Sequence, residues 1–358
     1  MIIPFKNLSI FAFIFLLISN LSFADEHKKE EGKKEEFNPG EMIMHHVGDS
    51  HEWEFAQGVI IPLPVILYSS EKGLEIFSSS NFHNEKHEYM GYHLDHETNE
   101  IHAEDKHHVY DISITKNVAS LFLCAAILIT VFLSVSGGYK RNHGKAPSGI
   151  QSFFEPIVVY IRDDIAMKVI GPKYERFLPY LLTIFFFIWF NNLLGLLPGG
   201  ANLTGNISVT LVLALLTFII TLFSSNGTYW KHILWTPGVP LALRIIILPI
   251  EIVGMFTKPF SLMIRLFANI TAGHIIILSL FSLIFIFESY TVGIVSTAFA
   301  VFMSLLELFV ALLQAYVFTL LSAMYFASAV EEHHEDSHGH DKHPEFHDVE
   351  TPGAKVLI

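Results

Sequence analysis

Glu251-Ile-Val-Gly-Met-Phe-Thr-Lys258-Pro-Phe-Ser-Leu-Met-Ile-Arg265-Leu-Phe-Ala-Asn269-Ile-Thr-Ala-Gly-His274 sets charged and polar residues into an otherwise apolar run from Ile245 to Phe287. An arginine near mid-bilayer costs at least ~3 kcal/mol, and ionisable groups inside spanning segments mark ion paths. At 100° per residue, Glu251, Lys258, Arg265 and Asn269 fall within about 40° on one helix face, and His274 lies opposite. The bland alternative is an arginine snorkelling from a helix end. It fits poorly, because Ile275–Phe287 carries the apolar run on past His274 without a charge.

The rest of the chain supports a membrane setting. It has 358 residues, 51% of them hydrophobic, and several long uncharged runs, which is too apolar for an ordinary soluble protein. The fold class expected is an all-α polytopic membrane protein with a small N-terminal ectodomain. The net charge of −13 sits mostly in two tails and does not point to nucleic acid. One cysteine, Cys124, lies in an apolar run, so no disulfide framework is expected. No P-loop, GxGxxG or CxxC pattern is present, and neither a cofactor nor a structural metal is expected.

Residues 1–24 read as a signal peptide. Lys6 precedes a short apolar core, Ile10 to Ile18, and Ser22-Phe23-Ala24 offers small residues where signal peptidase cuts. The mature chain would then start outside, at Asp25. Residues 25–116 form a polar, histidine-rich ectodomain. Val59 to Tyr68 and Leu74 to Phe77, across Ser69-Ser-Glu-Lys-Gly73, predict a β-hairpin. His83, His87, His93, His96, His102, His107 and His108 follow without a repeated zinc-ligand spacing, so a solvated segment is the simpler reading. Spans are expected at about 117–136, 177–197 and 207–223, with an amphipathic interfacial segment from Phe153 to Tyr174. The basic cluster Lys140-Arg141-Asn-His-Gly-Lys145, with Lys231 and Arg244, places those loops in the cytoplasm. Residues 331–358 form a second histidine-rich, acidic tail, also cytoplasmic.

The last two apolar segments, 245–287 and 291–329, are too long for simple crossings. As a helix the first would reach ~65 Å, against ~30 Å of hydrocarbon. Strong tilt relieves that mismatch, so they read as a steeply inclined helical hairpin turning near Ser289-Tyr290, which makes about five membrane-embedded helices in all. Counting residues from the turn puts His274 level with Glu307, and Arg265 level with Gln314. Glu307 and Gln314 are seven apart, hence on one face.

The stretch from Glu251 to His274, together with Glu307 and Leu313-Gln314-Ala315-Tyr316, resembles subunit a of the F-type ATP synthase. Asn192-Leu-Leu-Gly-Leu-Leu-Pro198 is similar to that family's second-span motif, and the likeness covers roughly Asp111 to Glu332. The resemblance implies a stationary, non-catalytic subunit of a bacterial inner-membrane complex, beside a rotating c-subunit ring and held by b-type peripheral stalk subunits. It implies two offset aqueous half-channels, with Arg265 at the position of the family's essential arginine. Asn269, His274, Glu307 and Gln314 match its proton-path positions. One departure stands out: many bacterial members have Glu at the position of His274 and His at that of Glu307, whereas this chain carries the exchanged pair, as mitochondrial forms do.

These residue types suit that chemistry. A guanidinium cannot relay a proton but can stabilise an ionised rotor carboxylate, and it repels a proton passing straight through. His274 and Glu307 can take up and release protons. Lying nearer the turn than Arg265, they belong to the outward half-channel. Glu251, at the far end of the stripe, is the candidate for the inward one. A histidine-rich ion or metal transporter is the competing class; its ligands would recur inside spans, where only His274 occurs. A secondary transporter would show paired repeats, and none is seen.

Overall fold

The computed structural model describes residues 39–331, apart from 57–58, 85–86, 96–97, 105–107, 142–143, 198 and 236–239. The expected signal peptide and nearly all of the C-terminal tail lie outside the described residues.

Helix α1, Pro39–Val47, opens the described chain and packs on the long helix Leu241–Phe287. Among the described residues, eight short strands follow in three small sheets. Strands β1 (Glu52–Ala56) and β2 (Val59–Pro62) pair antiparallel, with Trp53 opposite Ile61. Strands β3 (Pro64–Ser69), β4 (Gly73–Ser78) and β8 (Val109–Asp111) form a sheet in the order β4-β3-β8. The turn between β3 and β4 closes at Gly73, whose φ of +79° favours glycine. Val59–Pro62, expected to begin the strand of that hairpin, pairs with β1 instead. Leu63 ends it, and Pro62 and Pro64 on either side of Leu63 cannot donate to a continuous ladder. Strands β5 (Glu88–Tyr89), β6 (Tyr92–Leu94) and β7 (Ile101–Ala103) make the third sheet. Alternate residues of these strands, Val65, Leu67, Tyr92, Leu94 and Ile101, bury a small core together with Phe82 from the short 3-10 turn Ser79–Phe82.

Among the described residues, five helical stretches are long and apolar enough to cross a membrane: Lys116–Arg141, Ile150–Gly195, Ile207–Ser224, Leu243–Phe287 and Tyr290–Val330. The first is helix α2. The second begins as α3 (Ile150–Tyr160), passes through a π-helical turn at Ile161–Met167, and breaks at Gly171 (φ +75°) before α4, Tyr174–Gly195. Arg162, Asp164 and Lys168 face outward there, while Ile161, Ile165 and Ala166 are buried. Helices α5 (Ile207–Ser224) and α6 (Gly227–Leu234) lead to α7 (Leu241–Phe287) and α8 (Tyr290–Val330). The α7–α8 turn is tight, with Glu288 in the left-handed region at φ 44°.

Lipid gives helices no hydrophobic reason to associate, so they pack through small residues and close van der Waals contact. Helix α8 buries Ala311, Ala315, Ser322, Ala323 and Ala329, which lets it lie close to its neighbours. Phe177 of α4 stacks on Phe326 of α8 with ring centroids 4.7 Å apart. Leu262 and Leu266 complete this core from α7. The opposite face of α7 stays exposed.

Candidate functional site

Polar side chains of α7 and α8 meet where the two helices face each other. His274 Nε2 lies 3.6 Å from Glu307 Oε1, with side chains 13% and 4% exposed. Further along, Asn269 Nδ2 donates to Gln314 Oε1 at 2.8 Å. Residue counting paired Gln314 with Arg265, and the structure corrects this by one turn. Side chains lean toward their own helix N-terminus, and these helices run antiparallel. Asn269 therefore leans away from the turn and Gln314 toward it, so they meet although their backbones are not level. Arg265 lies one turn beyond Asn269, exposed on the outer face of α7. Among the described residues it makes no ion pair and no hydrogen bond.

The His274–Glu307 site is walled by close backbone approach. A Cβ on Gly273 would come within 2.7 Å of Glu307 Oε1, so this glycine makes room for the carboxyl group. At the end of α4, a Cβ on Gly195 would lie 3.9 Å from His274 Nε2. Asn192, one turn before Gly195, donates to the Ala311 carbonyl at 3.3 Å and accepts from the Thr204 hydroxyl at 2.7 Å. Both carboxyl oxygens of Glu307 and Nε2 of Gln314 are buried without a hydrogen-bond partner among the described residues. Buried polar atoms left unpaired are costly. Their gathering in one place singles this region out among the described residues.

Glu251 lies far from this pair, toward the start of α7. Burial first, then the charge of Glu251, raises the Tyr229 phenol on α6 above its ordinary value. A small cavity of about 10 Å³, room for roughly one water, is lined nearby by Thr217, Thr221, Tyr229, Lys258, Tyr325 and Ser328. The Tyr325 hydroxyl points at the Lys258 carbonyl, 3.5 Å away.

In the amino-terminal domain, His51 is buried and bonds through Nε2 to Asp111 Oδ2 at 2.8 Å. Burial would push the Asp111 carboxyl up, but hydrogen bonds from His51 and Ser113 outweigh it and hold Asp111 below the ordinary carboxylate value. His83 bonds Glu52 at 2.6 Å, and His93 faces His102 across β6 and β7. An open cleft of about 1180 Å³ is lined by Asp49, His51, Glu100, His102, Glu104 and His108. Among the described residues, no three His, Cys, Asp or Glu side chains are placed to hold one metal ion. His96 and His107 lie outside them.

Sequence reasoning quoted Asn192 and Gly195 within a motif but gave them no role beside His274, and it passed over Thr204, Gly273 and Trp53. Gly273, next to a polar residue in an apolar helix, was the one readable signal.

A family model described as ATP synthase A chain matches residues 118–327, and a domain of unknown function matches residues 42–120. The chain is 46% identical over 320 residues to ATP synthase subunit a 2 of Chlorobaculum tepidum, covering 87% of this chain and 78% of that one. It is 48% identical over 239 residues to ATP synthase subunit a of Chloroherpeton thalassium, covering 64% and 71%. With the corresponding protein of Chlorobium phaeobacteroides it shares 43% over 318 residues, covering 87% and 82%. A family match over more than half of its length, on five helices able to span a bilayer, leaves one conclusion: this multi-pass membrane protein belongs to the ATP synthase A chain family.

Proposed function

We propose that this chain is the stationary proton-path subunit of a bacterial F-type ATP synthase, coupling proton flow to rotation of a c-subunit ring while taking no part in ATP chemistry itself. The observation that carries this reading is Arg265: a permanently charged guanidinium on an exposed, mostly apolar helix face, with no acid partner among the described residues. A charge so placed in hydrocarbon is costly, and a counter-charge from outside the chain would offset that cost. A rotor carboxylate passing that face would supply it.

In this reading the pair His274 and Glu307 takes protons from the outer side, and Asn269 with Gln314 orients water between that pair and Arg265. Glu251 and the cavity beside Lys258 and Tyr325 serve the inner side. Nine residues of α7 separate His274 from Arg265, ~14 Å, and fourteen separate Arg265 from Glu251, ~21 Å. A proton therefore cannot step between the two ends. It has to travel on the rotor, and Arg265 stabilises the carboxylate that has released it. Residues 1–24 are a signal peptide, 25–116 lie outside, the spans occupy 117–330, and 331–358 are cytoplasmic. The b-type stalk and the rest of the complex are the further partners.

Arg265→Ala is expected to abolish ATP synthesis and ATP-driven pumping in complexes that still assemble. Lysine should restore little, because its compact ammonium is hydrated differently and lacks the planar fork. Normal proton-driven synthesis with Arg265→Ala would remove Arg265 from the mechanism.

A further inference from the structure

We propose that the amino-terminal domain, through Trp53, clamps the loop at residues 196–206 that walls the His274–Glu307 pair, and thereby sets how readily that pair meets water on the domain's side. The claim rests on the proposed function for its consequence, though not for the clamp itself.

Trp53 Nε1 donates to the Gly199 carbonyl at 2.7 Å, across 146 residues of sequence, and only 8% of Trp53 is exposed. The residues just before it are fastened to the first spanning helix. The Lys116 ammonium donates to the Gly48 carbonyl at 2.8 Å, and the Asn117 N–H donates to Asp49 Oδ1 at 3.0 Å. The Lys116 N–H donates to the Ser50 carbonyl at 2.8 Å, and His51 holds Asp111 five residues upstream of that helix. Four consecutive residues thus tie to the start of α2 or the strand before it. Two residues on, the indole grips the loop between α4 and α5. A free strand end could not transmit a position; one fixed at four points can.

The loop in turn is bonded to residues that flank the pair. Its base is Gly195, behind His274. Thr204 holds Asn192, which holds the Ala311 backbone one turn past Glu307. Thr271, three residues before His274, donates to the Gly205 carbonyl at 3.5 Å. The backbone at the grip is tightly wound: Gly199 has φ +69°, Gly200 donates to Leu197 O at 2.7 Å, and a Cβ on Gly200 would collide with Leu194 O. A loop with no regular partner opens readily, and each outside hydrogen bond counts toward holding it shut.

The test uses membranes carrying the whole complex, normalised for complex content, with wild type, Trp53→Phe, Trp53→His and Glu307→Gln. Phenylalanine keeps a ring and removes only the N–H; histidine returns a donor. Hydrogen exchange at residues 196–206 reads the clamp, and ATP-driven pumping against pH on the domain's side reads its consequence. Trp53→Phe should speed exchange in that loop about fivefold, the scale of one lost hydrogen bond. It should also shift the midpoint of the pumping profile on that side, and Trp53→His should bring both part of the way back. Unchanged loop exchange overturns the clamp. Faster exchange with an unmoved pH profile overturns its link to the pair. Fewer complexes with an unmoved profile per complex reduce the domain to an assembly handle and overturn it too. If Glu307→Gln pumps normally, the pair's own role fails, separately from the clamp.

Discussion

Exchanging His274 and Glu307 probes whether they act as one unit. His274→Glu alone puts two carboxyls, and Glu307→His alone two imidazoles, where the present pair sits 3.6 Å apart and nearly enclosed. Two like charges about 4 Å apart repel by about 4 kcal/mol at an effective dielectric constant of about 20. In either single variant, then, both groups cannot be charged together, and the passage of a proton between an acid and a base is lost. Coupling between contacting residues is commonly 0.5 to about 3 kcal/mol, so each single exchange should slow pumping by about twofold to a hundredfold. The double exchange restores one acid and one base at the same depth and should recover most of that loss. ATP-driven acidification of inverted vesicles with equal complex content measures it. If the losses of the two single variants simply add, as free energies, to that of the double, the residues work independently and the pairing is wrong.

Gly273→Ala pushes a methyl to within 2.7 Å of Glu307 Oε1. Overpacking of about 1–3 kcal/mol should slow pumping roughly tenfold in assembled complexes, whereas Gly254→Ala, with nothing within 4 Å, should be silent; equal rates for both would refute the fit. Asp111 has its carboxyl held below the ordinary value, so the stability it lends is present above the ordinary carboxylate range and is lost as pH falls through its lowered value. Hydrogen exchange at residues 48–53 should therefore rise in acid, and Asp111→Asn should flatten that rise. Truncation after Glu332 should leave coupling intact; a large loss of pumping with normal assembly would give the tail a function.

The long helices were legible because membrane crossing imposes a length on apolar runs, and a charge inside one is too costly to be incidental. The His274–Glu307 level followed from simple counting, since both arms of a hairpin rise equally per residue. The same counting missed Asn269 with Gln314, because it follows backbones and ignores which way side chains lean. Most of the amino-terminal domain was illegible. Its strands run from two to six residues, and their pairing rests on distant contacts such as Leu67 with Asp111. Nothing local announces that Trp53 will meet Gly199. His51 and Asp111 likewise meet across 60 residues, another pairing no window of sequence contains.

The outer face of α7 exposes Ile245, Ile250, Val253, Phe256, Phe260 and Ile264 along most of its length. A neighbour sliding over such a surface exchanges one set of dispersion contacts, each about 0.1–0.2 kcal/mol, for an equivalent set. No hydrogen bond has to break and remake, so the energy along the path stays nearly flat, as in a bearing. In the proposed reading friction would concentrate at the exceptions, and Arg265 would act as a detent whose spacing is set by the charges of the passing rotor. Behind that slippery front, the seam of small residues on α8 and the stacked rings of Phe177 and Phe326 hold the hairpin stiff. The sideways load of the proposed rotor would thus be borne by the packed rear of the hairpin, leaving its front face free to slip.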